Sequence, residues 1–363
     1  LRGYLVMKKY VLVIAVLVVA MGNCVFAQEN KVTITFWDGM SQPCELAIRS
    51  IISDFEEIHP NIHVEHVKVS FGAAFEKVTM AVAGGTASDV CPVWGGYLTQ
   101  FAEAGVLVEL TPFGVLELKD DIVPAAWDYV EWKGSVYGLP YNIDPRFLVY
   151  SMEAFQDSGF SEPPKTLDEF CEFVKKMTMK GEKAVERYGF GVGNGSEDLM
   201  NLFMNLVYAS GGEMFDKEIT EPMFYKTTGL EAAKILQDLF VNGYASRSGA
   251  EGPRGDMFVG RLASFIDGPW IFWEQINRAP GFEFDICPIP TKEGVPPINV
   301  ATVGAHVIFK QSKHPEEAYE FIKYCCSPEA QQYEVENYKG AINLGVFGMP
   351  LAKKKFEEWP AFK

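Results

Sequence analysis

The sequence predicts an α/β protein made of two packed domains. Three observations carry that expectation. Segments of alternating hydrophobicity are interleaved with segments of helical periodicity in the order β-α-β-α-β. The 363 residues suffice for two domains and hardly for three. No internal repeat, low-complexity tract or flexible linker separates the halves, which predicts domains joined by several strand-like crossings.

The elements follow in order. Residues 31–37 alternate Val32, Ile34 and Phe36 against Lys31, Thr33 and Thr35, a strand with one apolar face. Ile48, Ile51, Ile52 and Phe55 recur at helical spacing, and Pro60 stops that helix. Residues 61–69 alternate again. Phe75, Val78 and Val82 mark a second helix closed by Gly84 and Gly85, and residues 89–93 form a short apolar strand. Over 166–179, Thr166 and Glu169 make a capping box ahead of the stripe Phe170, Val174 and Met177. Thr228 is expected to cap a helix carrying Ala232, Leu236, Leu239 and Phe240 and ending at Gly243. Residues 262–266 read as a strand. Pro315 opens a helix with Ala318, Phe321, Ile322 and Cys325 on one face, and Ser327–Pro328 begins another.

Composition narrows the function. The chain is 48% hydrophobic and 22% charged, ordinary for a soluble globular protein. Its formal net charge is −16; beyond residue 27, 29 basic residues face 48 acidic ones, a balance of −19. Such a chain repels phosphate backbones and anionic headgroups, so nucleic acid and membrane surfaces are not expected partners. Lys8 and Lys9 precede an apolar run over 10–21, then Val25–Phe26–Ala27. Twelve helical residues cover about 18 Å, well short of the roughly 30 Å hydrocarbon core. The pattern predicts a signal peptide over 1–27, cleaved before Gln28, and an exported protein. Cys24 raises lipid attachment as an alternative. The later cysteines, Cys44, Cys91, Cys171, Cys287, Cys325 and Cys326, show no CxxC pair and read as buried thiols.

Familiar catalytic motifs do not appear. There is no GxxxxGK[ST] loop, no HExxH and no GxSxG. The run 191–196, GVGNGS, has the wrong spacing for a dinucleotide turn and is expected to be a loop with positive φ angles. His59, His63 and His66 lie close in sequence, but strand alternation puts His63 opposite His66 and a turn holds His59. Three ligands cannot converge from there, so no metal is expected. No cofactor and no catalytic residue is predicted.

What stands out is aromatic and polar residues just after strands: Trp37–Asp38, Trp94 to Tyr97, GLPYNIDPR over 138–146 with Tyr141, Asn142, Asp144 and Arg146, and DGPWIFW over 267–273 with Trp270 and Trp273. In open α/β sheets ligands bind beyond the carboxyl ends of strands. There, flat aromatic rings can stack on a sugar's apolar faces while Asp, Asn and Arg hold its hydroxyls.

Nine segments in order also resemble the family 1 extracellular solute-binding proteins, the sugar-type receptors of ABC importers that include maltose-binding protein. They include FEEIHPNIHVE (55–65), GGTASDV (84–90), YGLPYNIDPRFLVYSMEAF (137–155), MFVGRLASFIDGPW (257–270) and HPEEAYEFIKYCCSPEAQ (314–331), within residues 31–350. The resemblance implies a two-lobed periplasmic-binding-protein fold, type II-like, each lobe a largely parallel sheet flanked by helices, with the ligand cleft between lobes. Lobe one would comprise 31–141 and 300–328, lobe two 142–299 and 329–363, where family members usually run further. It implies that Trp37, Trp94, Asn142, Asp144, Arg146 and Trp270 face the cleft, with Asn201 and His306 as further matches. The expected function is capture of a sugar or oligosaccharide by a monomer that delivers it to the permease transmembrane subunits, with no catalysis. A polyamine, metal chelate or compatible solute is the alternative ligand, and an exported carbohydrate-active enzyme the third reading.

Overall fold

The computed structural model describes residues 31–39, 44–69, 71–216, 219–248, 252–298, 300–327 and 329–330. The expected signal peptide, the Cys24 anchor, the side chain of Cys44 and the C-terminal part of lobe two lie outside the described residues.

Two five-stranded sheets organise the chain. The first is built from β1 (Val32–Asp38), β2 (Ile62–Lys68), β3 (Val90–Trp94), β6 (Leu139–Asp144) and β14 (Thr302–Ile308), in the order β2-β1-β3-β14-β6. Around it pack α1 (Cys44–Ile58), α2 (Phe71–Gly84), α3 (Tyr97–Glu103), α4 (Pro124–Val130) and α11 (Pro315–Cys325), with a small hairpin of β4 (Glu131–Trp132) and β5 (Ser135–Val136). The second sheet runs β11-β10-β12-β7-β13, from β7 (Phe147–Ser151), β10 (Phe190–Val192), β11 (Ala245–Arg247), β12 (Ser264–Asp267) and β13 (Phe284–Cys287). Its helices are α5 (Met152–Asp157), α6 (Leu167–Met177), α7 (Ser196–Ala209), α8 (Gly229–Val241), α9 (Gly252–Phe258) and α10 (Ile271–Arg278), beside a hairpin of β8 (Met179–Lys180) and β9 (Val185–Arg187).

The alternation in β1 does what the sequence asks of it. Ile34 and Phe36 are fully buried, and β1 pairs β2 in parallel from Val32↔Ile62 to Asp38↔Lys68. Phe36 meets Phe321 of α11 edge to face at 5.3 Å, and Phe321 meets Phe55 of α1 the same way, so sheet and both helices share one aromatic core. The second lobe has its own core, around Tyr150, Phe173, Phe190 and Leu206.

Strand direction positions the site. β14 runs antiparallel to both of its neighbours, β3 and β6, and β7 antiparallel to both of its own, β12 and β13. Every other neighbouring pair in the two sheets is parallel. Each sheet therefore has four strands in one direction and one reversed, which makes it mixed while still largely parallel. The reversed strands are the two that enter a lobe from the other one. The chain leaves lobe one at Asp144, crosses at Pro145–Arg146 and enters lobe two at Phe147. Because β6 ends and β7 begins at that crossing, the carboxyl ends of the four co-directional strands in each lobe point towards it.

Several local expectations change. β6 still pairs with β14 at Asp144↔Thr302, so the expected boundary after Tyr141 falls inside a lobe-one strand. Thr228 does not cap α8; its hydroxyl donates instead to the Val207 carbonyl of α7 at 2.8 Å, a tertiary bond that outcompetes the local one. The glycines of GVGNGS are absent from the positive-φ positions, and Gly195 has φ −66°. Gly191 and Gly193 are needed for close approach: a Cβ there would collide with Leu262 and with the Asp198 carboxylate. The three histidines go separate ways, His59 stacked on Phe55, His63 bonded to Glu56 and His66 to Asp38. Cys91, Cys171 and Cys287 are free thiols among the described residues, and Cys91, Cys287, Cys325 and Cys326 are buried. Among the described residues no helix is long and apolar enough to cross a membrane.

The capping box on α6 forms as read. Thr166 Oγ1 accepts the Glu169 N–H, and Glu169 Oε2 accepts the N–H groups of Thr166 and Lys165 at 3.0 and 2.7 Å. Thr166→Ala should lower stability by about 1 kcal/mol, checked by urea denaturation at constant m-value.

Candidate functional site

The crossing itself supplies the first functional group. Arg146 follows Pro145, and its guanidinium bonds back to lobe one, with Nη2 donating to Thr302 Oγ1 at 2.9 Å and Nη1 to the Asp144 carbonyl at 3.4 Å. Its flat face lies 4.5 Å from the ring centre of Trp270, which belongs to lobe two. A cation over an indole is attracted by the ring's negative face, more so when desolvated. Burial lowers the Arg146 pKa, opposed by Asp144 and Asp267.

On the lobe-two side, β12 ends at Asp267, opposite Phe147 of β7. Asp267 is buried and clamped by Arg254 of α9, whose Nε and Nη2 both donate at 2.7 Å. This fork is the strong form of a charge-assisted pair. Burial pushes the Asp267 carboxyl above its usual range, and the Arg254 charge opposes that. The tight turn after it uses Gly268, because a Cβ there would strike the Trp270 ring and Arg146 Nη1.

These groups border a cavity of about 530 Å³. Its walls are the ends of β10 and β12, one face of α7 with Asn201 and Asn205, and the start of α9. The size falls within the usual range of small-molecule sites. Of the residues singled out from the sequence, Arg146, Asn201 and Trp270 line it. Sequence reasoning missed Arg254, Asp267, Asn194, Asp198 and Asn205. Asp267 opens the segment that was quoted for its tryptophans, so its signal was present. Arg254 lies 13 residues from its partner and nothing local marked it.

The lobe-one candidates gather at the ends of β1, β3 and β6, outside that cavity. Trp37 is half-buried under Lys77, whose Nζ lies 4.6 Å from the ring centre. Asp38 is fully buried and bonded to His66 Nε2 at 3.3 Å. Trp94 meets Tyr141 edge to face at 6.3 Å. Both converge with Asn142 on Gly304, where a methyl group would come within 2.7 Å of Trp94 Nε1 and closer still to Asn142 Oδ1. Asn142 donates to Asp144 Oδ2 at 2.8 Å, while its buried Oδ1 has no partner among the described residues. Tyr97 opens α3 half-buried, and Trp273 is half-buried on α10, away from the cavity lining. His306 lies inside the lobe-one core, stacked on Tyr141 at 4.4 Å and edge-on to Phe36 at 5.5 Å. Burial drives its pKa down to about 4, so it is neutral at pH 7.

Asp144, at the end of β6, is strongly perturbed. Burial raises it from the ordinary 3.8 to about 7, against the Arg146 charge and the Asn142 amide. A carboxyl raised in the folded state contributes stability that is present below about pH 4 and lost as the pH rises through about 7. His306 has the opposite sign: its contribution is present above 6.5 and lost as the pH falls towards 4. Asp144→Asn should therefore gain stability relative to the parent at pH 8 and lose that advantage at pH 4, read from urea midpoints at the two pH values.

Comparison with known proteins places this geometry in context. The family model for bacterial extracellular solute-binding proteins matches residues 45–332. A solute-binding protein of an ABC transporter from Thermotoga lettingae, solved with α-D-tagatose bound, is 29% identical, covers 89% of this chain and 83% of that one, and superposes with a TM-score of 0.76. The maltotriose-binding protein of Pyrococcus abyssi is 24% identical over 71% of this chain and 53% of its own length. The mannitol-binding protein of Pseudomonas aeruginosa is 26% identical over 64% of this chain and 52% of its own.

Proposed function

The chain belongs to the bacterial extracellular solute-binding proteins, and we propose that it captures a small sugar or polyol between its lobes and delivers it to the transmembrane subunits of an ABC importer. The family consists of exported binding proteins, so the chemistry to explain is recognition and release. One observation carries the reading: strand carboxyl ends of both lobes face the crossing at Pro145–Arg146, and beside it the lobe-two sheet borders a cavity that combines an indole with two carboxylates, amides and two guanidinium groups. Relatives that bind tagatose, maltotriose and mannitol support a polyhydroxylated ligand.

The mechanism follows from the two-lobed build. A ligand touching both lobes stabilises the closed arrangement by its differential affinity, and the closed shape is what the permease meets. The indole of Trp270 covers an apolar sugar face, while the lobe-one groups Trp37, Trp94, Asn142 and Asp144 complete the site from the other side. Arg146, already in contact with both lobes, lies where they meet. The protein works as a monomer, each copy carrying a whole cleft.

Trp270→Ala should weaken binding by about 2 kcal/mol, roughly thirtyfold. Calorimetric titration with the tightest of D-tagatose, D-mannitol, maltose and mannobiose measures this, and an unchanged affinity removes the indole from the site. A thermal-shift screen with the same four checks the ligand class: a cognate compound raises the melting temperature by mass action. A shift with none of them, alongside one with a non-sugar solute, overturns the sugar reading.

A further inference from the structure

Asp267 ends its strand at the cavity wall with 4% of its surface exposed, a place an apolar side chain could fill. A buried ion pair adds little net stability over good apolar packing, although breaking one is costly. Fold stability therefore gives no strong reason for a charged pair here. Its bonding shows what the carboxylate can still do. It accepts two N–H groups from Arg254 and the backbone N–H of Gly268. An ionised carboxylate offers about four lone-pair sites, so three donors leave room for one more. Arg254 also closes off rotation: held at both oxygens, the carboxylate keeps one orientation. On the same wall, the Trp270 Nε1–H is buried with no partner among the described residues. The wall thus offers a fixed acceptor and a buried donor around one flat ring. A hydroxyl is a donor and an acceptor at once, which matches that pair better than an amine or a carbonyl does.

We propose that the Arg254–Asp267 pair is the specificity-determining element of the cavity, with Asp267 accepting a hydroxyl from the sugar unit seated on Trp270 and Arg254 acting as its positioning residue. This rests on the sugar-capture reading above and deepens it by naming the group that reads the ligand. A ligand lacking that hydroxyl leaves a buried acceptor under-satisfied, and sites built around such a hydrogen bond reject the deoxy analogue strongly.

The test is calorimetric titration of the full chain with D-glucose, D-mannose, D-tagatose, D-mannitol, maltose and mannobiose, then with each monodeoxy derivative of the tightest binder. One derivative should bind the parent protein about a hundredfold more weakly than the intact sugar. Asp267→Asn should bind the intact sugar more weakly by a similar factor and should no longer distinguish it from that derivative. Arg254→Gln should lose about tenfold yet keep the distinction, as a positioning role requires. Near-UV circular dichroism and thermal unfolding establish that both variants fold. The deoxy series on the unaltered protein needs no variant, and indifference to every deoxygenation overturns the assignment. So does a folded Asp267→Asn that still discriminates or binds as tightly as the parent; in that case sugar capture stands and only the pair's role falls. A parent protein that binds none of the six overturns the sugar reading, and this inference with it.

Discussion

The structure depends on how the chain passes between its lobes. It does so by strands rather than by a linker, and the register at the crossing fixes everything nearby. Asp144 pairs with Thr302 in one sheet while Phe147, three residues on, pairs with Asp267 in the other. Those two pairings set the polarity of both sheets. Each entering strand must run against its neighbours, so the remaining strands end where the entering one begins. Trp37, Trp94, Asp144 and Asp267 then lie at the same boundary because of topology, without any contact between distant loops having to gather them. The rule that ligands bind beyond strand carboxyl ends is here a consequence of two β-pairings.

That boundary is where burial and charge conflict. Asp144 and Asp267 are both buried, both pushed towards the neutral form by desolvation, and both opposed by arginines. In a core such groups would be replaced by apolar ones at little loss. Here each ends a strand at the crossing, and Asp267 lies on the cavity wall with Trp270. The polar groups of lobe one are tied among themselves, Asn142 to Asp144 and Asp38 to His66. Preorganisation of this kind lowers the cost of binding, because fewer side chains must be ordered when a ligand arrives.

Much of this was legible in the sequence for definite physical reasons. The alternation of Val32, Ile34 and Phe36 is a two-residue period that only a one-sided strand satisfies. Thr166 and Glu169 form the box their spacing allows, since both bonds are local. Thr228 has the same cap chemistry and fails, because a carbonyl 21 residues away offers a better partner. The glycines of GVGNGS were read for their φ freedom, whereas the fold uses their lack of a Cβ against Leu262 and Asp198. Among site residues, Arg146 and Trp270 were found because aromatic and basic residues after strands are conspicuous. Arg254 was not, since a salt bridge between a helix and the end of the next strand leaves no periodic trace. His306 was expected at the cleft from the family resemblance alone; in the structure it is buried in the lobe-one core, stacked on Tyr141 and edge-on to Phe36.

The placement of Arg146 has a mechanical consequence. Its hydrogen-bond partners, the Asp144 carbonyl and Thr302 Oγ1, belong to one rigid β-pair in lobe one. Its aromatic partner, Trp270, follows β12 in lobe two. A change in the angle between lobes leaves the first set of contacts nearly unaltered, because both partners move together. The contact with Trp270 has no such protection, since its two sides belong to different bodies. Any rotation about Pro145 must therefore alter how the guanidinium covers the indole. A cation–π contact weakens steeply once the cation leaves the ring face.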